Sequence, residues 1–509
     1  MAELINRPQY LNQLIQNKGV DLVKIVTGIR RSGKSSLLDL FHQYFLKSER
    51  IYDFKDYTVV VTGFACAAWC FITGGTLALY VGVQTALVAS IAGNIIAVLL
   101  MSLATQVISG KYGVDAYTSV RGVLGGRGTK VFLILMSIFV IAWLIILCMM
   151  VAKAVGNIVL GFTGIDITTG IPMFIVSVLA GAVCWLVAWK GPELLKKLNI
   201  FVAPVFVIIL IFLFAVVSMN YGWDTVLSAE PLAPLDSEWL NFLIAFELSM
   251  GAGFSWWPNM GGLAKLCKTT RAAYWPNIIG LVFAATLGTV MGVAASLLVN
   301  SSDPTAWMIP MGGLALGTAA LVLVIAADIT ACSVMLYNLG IGVKQVRSFL
   351  KLSWGKVTGL ITLIAFIGMI WAEPLYDSFY IILGISSMSC APIAMMQLVD
   401  YYAFRKKHIS LRDAYNNSKS SKYYFWGGFN WVAIGVFAAA IVLYLLIFDP
   451  FLCVPQPAFV YCGATAIVCV FVAVVYYVLG KLLLVKRGIG GFSESAEKVS
   501  TESVGENNL

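Results

Sequence analysis

Apolar stretches of about twenty residues follow one another along most of this chain, separated by short polar segments. They occupy residues 57–83, 85–109, 131–158, 171–189, 198–219 and 239–261. Six more cover 274–299, 311–338, 357–372, 375–402, 424–448 and 457–480. A bilayer core about 30 Å thick is crossed by roughly 20 helical residues. The pattern therefore predicts an all-α membrane protein with twelve transmembrane helices.

The polar segments carry a second pattern, because Lys and Arg collect in every other one. Lys111, Arg121, Arg127 and Lys130 follow the second span; Lys190, Lys196 and Lys197 follow the fourth. Lys265, Lys268 and Arg271 come next, then Lys344, Arg347, Lys351 and Lys356, then Arg405, Lys406, Lys407, Arg412, Lys419 and Lys422. Lys481, Lys486 and Arg487 follow the last span, and the intervening segments hold neither Lys nor Arg. Basic loops stay in the cytoplasm, so both termini are expected there, in a multi-pass protein of the plasma membrane.

Composition agrees. Of 509 residues, 60% are hydrophobic and 12% charged, with mean hydropathy +0.88. That is about half the usual charged share, too little to cover a water-facing surface, which excludes a soluble enzyme or a disordered chain. The net charge of +9 is accounted for by topology, so nucleic acid is not an expected partner. The expected partners are a small molecule and the bilayer, with the chain a monomer. Ten cysteines, Cys148, Cys184, Cys332, Cys390 and Cys469 among them, lie almost all in apolar runs without CxxC spacing. They read as small core residues rather than ligands. Two histidines, His42 and His408, leave little scope for a His-based metal site.

Three parts are expected: a polar head at 1–56, a transporter domain at 57–485, and a Ser/Glu-rich disordered tail at 486–509. The head holds Gly28-Ile29-Arg30-Arg31-Ser32-Gly33-Lys34-Ser35, which fits the phosphate-loop pattern GxxxxGK[ST]. Backbone N–H groups and Lys34 of such a loop cradle phosphates, and Ser35 holds Mg²⁺. Residues 7–46 resemble the start of AAA-type ATPases. Those enzymes need a further sheet and a later metal-binding acid, whereas this chain enters the membrane near Tyr57. Gly28, Gly33, Lys34 and Ser35 are thus read as an orphan motif in a remnant or fused segment. A membrane-tethered NTPase is the alternative from another class.

Inside the spans, charge and helix breaks mark function. Lys153, Glu247 and Asp328 are intramembrane charges, which are costly and so point to function; Asp328 lies nearest mid-span. The first span contains Ile72-Thr73-Gly74-Gly75-Thr76, and the sixth contains Gly251 through Asn259 with Pro258. Interruptions in matching positions of two five-helix halves indicate an inverted-repeat transporter with its site at mid-membrane. Trp69, Trp143, Trp256 and Trp257 sit in or beside that centre and suit a flat ring.

The membrane part, about 57–485, resembles the nucleobase:cation symporter-1 family, which includes the hydantoin and cytosine permeases. Thr73-Gly74-Gly75-Thr76-Leu77, Lys111-Tyr112-Gly113 and Gly125 through Gly128 carry part of the likeness. Asp400-Tyr401-Tyr402, Arg405-Lys406-Lys407, Ile409 through Tyr415, and Asn430-Trp431-Val432-Ala433 carry the most specific part. The resemblance implies a leucine-transporter-like fold: a five-plus-five inverted repeat and two extra C-terminal helices. It also implies uptake of a nucleobase, hydantoin-like or related nitrogen-rich molecule with Na⁺ or H⁺ by alternating access, without other cofactors. An amine or amino-acid transporter of the same fold is the alternative.

By position, the substrate would meet Trp69, Thr73, Gly74, Trp143, Gly253, Phe254, Ser255, Trp256, Trp257 and Asn259. The resemblance places Gly63, Cys66, Ala327 and Thr330 at the coupling ion, with Asp328 and Ser333 able to compensate where a family hydroxyl falls on Ala331. The family's substrate-side glutamines fall on Leu147 and Ala67.

Overall fold

The computed structural model describes residues 8–16, 37, 40–41, 50–65, 68–416 and 418–492. The phosphate-loop residues Gly28, Gly33, Lys34 and Ser35, and also Cys66, lie outside them. The described chain is almost entirely helical. The first predicted span is a bent pair, α1 (Phe54–Ala65) and α2 (Trp69–Ala78), meeting at 47°. Then come α3 (Val83–Tyr112), α4 (Gly126–Thr163), α5 (Gly170–Lys190) and α6 (Pro192–Val216). The sixth predicted span is again broken, into α7 (Glu238–Phe254) and α8 (Trp257–Ala264). The rest are α9 (Thr270–Val299), α10 (Pro304–Lys344), α11 (Trp354–Asp377), α12 (Phe379–Phe404), α13 (Trp431–Ile447) and α14 (Ala464–Val485).

The expectation of twelve spans is met in part. Among the described residues, eight helices are long and apolar enough to cross a membrane, or nine when the bent pair counts as one. The difference arises because α7 stops after 17 residues at its break, α13 is equally short, and the apolar part of the fifth span is Val207–Tyr221. The eighth predicted span also starts earlier than its apolar run. Asp303 caps it, and a kink at Gly313 (φ 69°) lies near the expected start.

The helices sort into two groups. In one, α2 packs along α9 and α7 along α3; in the other, α4 packs along α10 and both contact α5 and α11. Close approach in the first group depends on missing side chains. A Cβ on Gly74 would lie 2.2 Å from the Thr289 carbonyl oxygen, and one on Gly292 would lie 2.7 Å from that of Phe71. Gly74 and Gly75, expected to unwind the first span, are instead helical residues of α2. The break comes earlier, just before Trp69. The break in the sixth span lies where expected, at Ser255–Trp256, and Pro258 falls in the first turn of α8, where its missing N–H is no loss.

Two of the three intramembrane charges are structural ties. Lys153 on α4 pairs with Asp303 at 3.1 Å and lies over the Tyr376 ring. Glu247 on α7 is 1% exposed and faces the start of α14. It accepts from Ala464 N at 2.9 Å, Thr465 N at 3.0 Å, the Thr465 hydroxyl and Tyr444 Oη at 3.0 Å. A carboxylate at a helix N-terminus satisfies donors that the helix cannot.

A third tie joins segments far apart in sequence. Arg405 meets Asp400 at 2.6 Å and donates to the carbonyls of Gly122 and Gly490, while Asn430 donates to that of Val123. The chain is thereby docked through Phe492, which lies against Arg405.

Removing the Glu247 carboxylate in Glu247→Ala strands the Ala464 and Thr465 donors. Each buried donor left unpaired costs about 1–3 kcal/mol. The variant should unfold at a lower temperature in detergent; an unchanged Tm would refute the tie.

Candidate functional site

Both breaks open onto one cavity between the two helix groups. It is lined by Phe64, Trp69, Trp143, Leu147, Ser255, Trp256, Asn259, Ala331 and Met335. The α1/α2 break supplies the first two residues, and the α7/α8 break supplies Ser255, Trp256 and Asn259. The other wall comes from α4 and α10.

Aromatic edges build the floor. Trp256 meets Trp69 edge-on at 4.8 Å between ring centroids and Phe64 at 5.0 Å. Trp69 also donates from Nε1 to the Phe64 carbonyl at 3.3 Å, spanning the break. Across the cavity, Trp143 is held edge-on by Phe379 at 5.4 Å. Edge-to-face packing fixes ring orientation as well as contact.

Two polar atoms stand out in this apolar setting. Trp143 Nε1 and Asn259 Oδ1 are buried and have no hydrogen-bond partner among the described residues. One is a donor and the other an acceptor. Buried polar groups are ordinarily paired, so a lining with one unpaired donor and one unpaired acceptor suits a ligand carrying both. Among the described residues, none that lines the cavity is charged.

Five of the ten substrate residues expected from sequence line this cavity: Trp69, Trp143, Ser255, Trp256 and Asn259. The other five do not. Thr73 donates to the Trp69 carbonyl at 2.8 Å, and Gly74 abuts α9. Gly253 is directed at α3, since a Cβ there would lie 2.6 Å from that of Ala97. Phe254 is fully buried without reaching the lining. Trp257 turns the opposite way from Trp256, donating to Gln397 Oε1 at 2.7 Å and meeting Tyr117 and Phe132 edge-on.

Phe64 and Met335 are lining residues the sequence did not single out, and Leu147 and Ala331 had been noted only as departures from the family pattern. Helical spacing carries the signal: Leu147 lies four residues after Trp143, and Met335 four after Ala331, one turn along the same faces.

Of the described residues expected at the ion, Asp328 reaches the break in the first span. Asp328 on α10 is fully buried; its Oδ1 accepts from the Ala68 backbone N at 3.0 Å, while Oδ2 has no partner among the described residues. This contact places α10 against the break in the first span. Gly63 and Ala327 are buried near it in sequence. The hydroxyls of Thr330 and Ser333 donate to the carbonyls of Ala326 and Ile329 in their own helix, so each could offer a cation only its oxygen lone pairs.

A family model described as permease for cytosine/purines, uracil, thiamine, allantoin matches residues 46–484. The chain belongs to this family. This permease is 25% identical over 395 residues to a hydantoin permease of Microbacterium maritypicum, covering 74% of this chain and 78% of that one. Its fold matches that of Mhp1, a nucleobase-cation-symport-1 family transporter solved in a closed conformation with bromovinylhydantoin bound. The TM-score is 0.69 at 20% identity, over 86% of this chain and 94% of the other. A Na⁺-coupled sialic acid symporter in a substrate-bound outward-open state matches at TM-score 0.60 and 13% identity, over 87% and 92% of the two chains. The permease is a multi-pass protein of the plasma membrane, and its activity is transport. The ATPase likeness of residues 7–46 is not borne out by these comparisons.

Trp143→Phe deletes the unpaired donor while keeping an aromatic ring. Ligand affinity should fall by up to about tenfold, the equivalent of one neutral hydrogen bond of about 0.5–1.5 kcal/mol. Tm should hardly move, because no internal bond is lost. A binding titration beside a melting curve checks both; unchanged affinity would show that Nε1 faces no ligand.

Proposed function

We propose that this permease imports a nucleobase, a hydantoin or a related nitrogen-rich ring together with a cation, by alternating access around the two helix breaks. One observation carries the reading: an unpaired donor, Trp143 Nε1, and an unpaired acceptor, Asn259 Oδ1, share an aromatic-lined cavity. A flat ring with N–H and C=O groups along its edge would fill the aromatic slot and pair with both. The family description and the hydantoin permease relative support that substrate class. A cationic amine is disfavoured, since no acidic side chain lines the cavity among the described residues.

For coupling, the reading favours a proton at Asp328. Its Oδ2 is buried without a partner among the described residues, an arrangement that a proton or a cation would relieve. Na⁺ prefers several hard oxygen donors, and Ala331 offers none from its side chain. The basic loops support twelve spans with both termini in the cytoplasm. The head at 1–56 is read as an appendage to a monomeric transporter domain at 57–485, followed by a tail at 486–509.

Uptake into proteoliposomes, with labelled nucleobases and hydantoins under imposed H⁺ or Na⁺ gradients, tests the proposal. One ring compound should accumulate under the H⁺ gradient, and Asp328→Asn should abolish that accumulation while ligand binding persists. If no ring compound accumulates, the substrate reading fails. Accumulation driven by Na⁺ alone, or undiminished in Asp328→Asn, would overturn proton coupling.

A further inference from the structure

Behind the α4 and α10 wall of the cavity, three thiols converge. Cys148 on α4, Cys184 on α5 and Cys332 on α10 are all buried, and their sulfur atoms lie within 4.8 Å of one another. Cys148 Sγ and Cys332 Sγ are 3.7 Å apart, and Cys184 Sγ lies 3.6 Å from the Ile329 carbonyl oxygen. No local spacing foreshadows this group, because each member comes from a different helix.

Small residues often fill helix seams in membranes, and alanine or serine would serve that purpose equally well. A seam does not require three sulfurs to point at one spot. Metal–thiolate bonds of about 2.3 Å at a trigonal angle place neighbouring sulfurs roughly 4 Å apart. The 3.7 Å pair is within a few tenths of an ångström of that separation, and the third sulfur lies within 4.8 Å of both.

The donor set selects the ion. It contains sulfur alone, with neither imidazole nor carboxylate, and soft thiolates select soft cations. Structural zinc is almost always four-coordinate, whereas three thiols suit a trigonal cation such as Cu(I). We propose that Cys148, Cys184 and Cys332 form a binding site for a soft monovalent cation of the Cu(I) type, tying α4, α5 and α10 together. Thiolates alone at this depth would be costly. With one thiol deprotonated and the other two binding as neutral thiols, the thiolate and the cation cancel and no net charge is buried. Leu147 and Ala331, each next to a cysteine of the site, line the substrate cavity, so occupancy stiffens one of its walls. The site stands independently of which ring is carried.

Silver(I) is the probe, as a redox-stable stand-in for Cu(I). Purified full-length protein is loaded with Ag(I) in chloride-free buffer, then dialysed against excess monothiol so that only a chelating site retains metal. Elemental analysis should find one silver ion per chain, and loading should raise Tm. Cys148→Ala, Cys184→Ala and Cys332→Ala should each lose both effects, while Cys462→Ala, at an exposed thiol, should keep them. If an alanine variant elutes as aggregate, the near-isosteric serine variant replaces it. No silver retained by the parent protein, or retention unchanged in the Cys184 variant, would overturn the proposal.

Discussion

The contact on which this structure turns is that between the Asp328 carboxylate and the Ala68 backbone N. A helix that breaks inside a bilayer leaves backbone groups with no water to satisfy them. Here α10 answers with a buried carboxylate, so the first span can stop at Ala65 and resume at Trp69 without an orphaned N–H at Ala68. The break would otherwise be a defect; satisfied from outside the helix, it becomes an opening onto the cavity. The same contact fixes how the two helix groups meet, because Ala68 belongs to one and Asp328 to the other.

The remaining polar contacts are placed so that this junction stays the soft one. Glu247 fastens α7 to the start of α14, Lys153 and Asp303 fasten α4 to α10, and the Asp400–Arg405 pair gathers the segments beyond α12. Each is a charge in a sparsely charged protein, and each has its partners close by. Between the two groups, in contrast, the cavity is lined by rings and apolar side chains with few polar ties. Rings slide past one another more readily than buried ion pairs exchange partners, which suits a transporter whose halves must move.

Much of the helical architecture was legible from the apolar runs, because they reflect the solvent rather than the fold. The break at Pro258 was legible for a local reason: proline and neighbouring glycines disfavour a continuous helix wherever they occur. The break in the first span was misplaced because Gly74 and Gly75 serve a tertiary purpose, admitting the backbone of α9 and of Ser302 respectively, and composition does not distinguish an unwound glycine from a closely packed one. Trp256 and Trp257 show the same limit. They are adjacent, but a turn in the chain sends one ring to the cavity and the other to Gln397, and that rotation depends on where α12 lies. The convergence of Cys148, Cys184 and Cys332 was invisible for a simpler reason, since it exists only once three helices have assembled.

Trp256 carries one further consequence. Its ring, at the break in the sixth span, lies against both Phe64 and Trp69, which flank the break in the first span. Neither discontinuity can hinge alone without opening a gap beside that indole or pressing into it. The two breaks are thereby reduced to one degree of freedom, and the chain behaves there as a single rocker rather than two independent flaps.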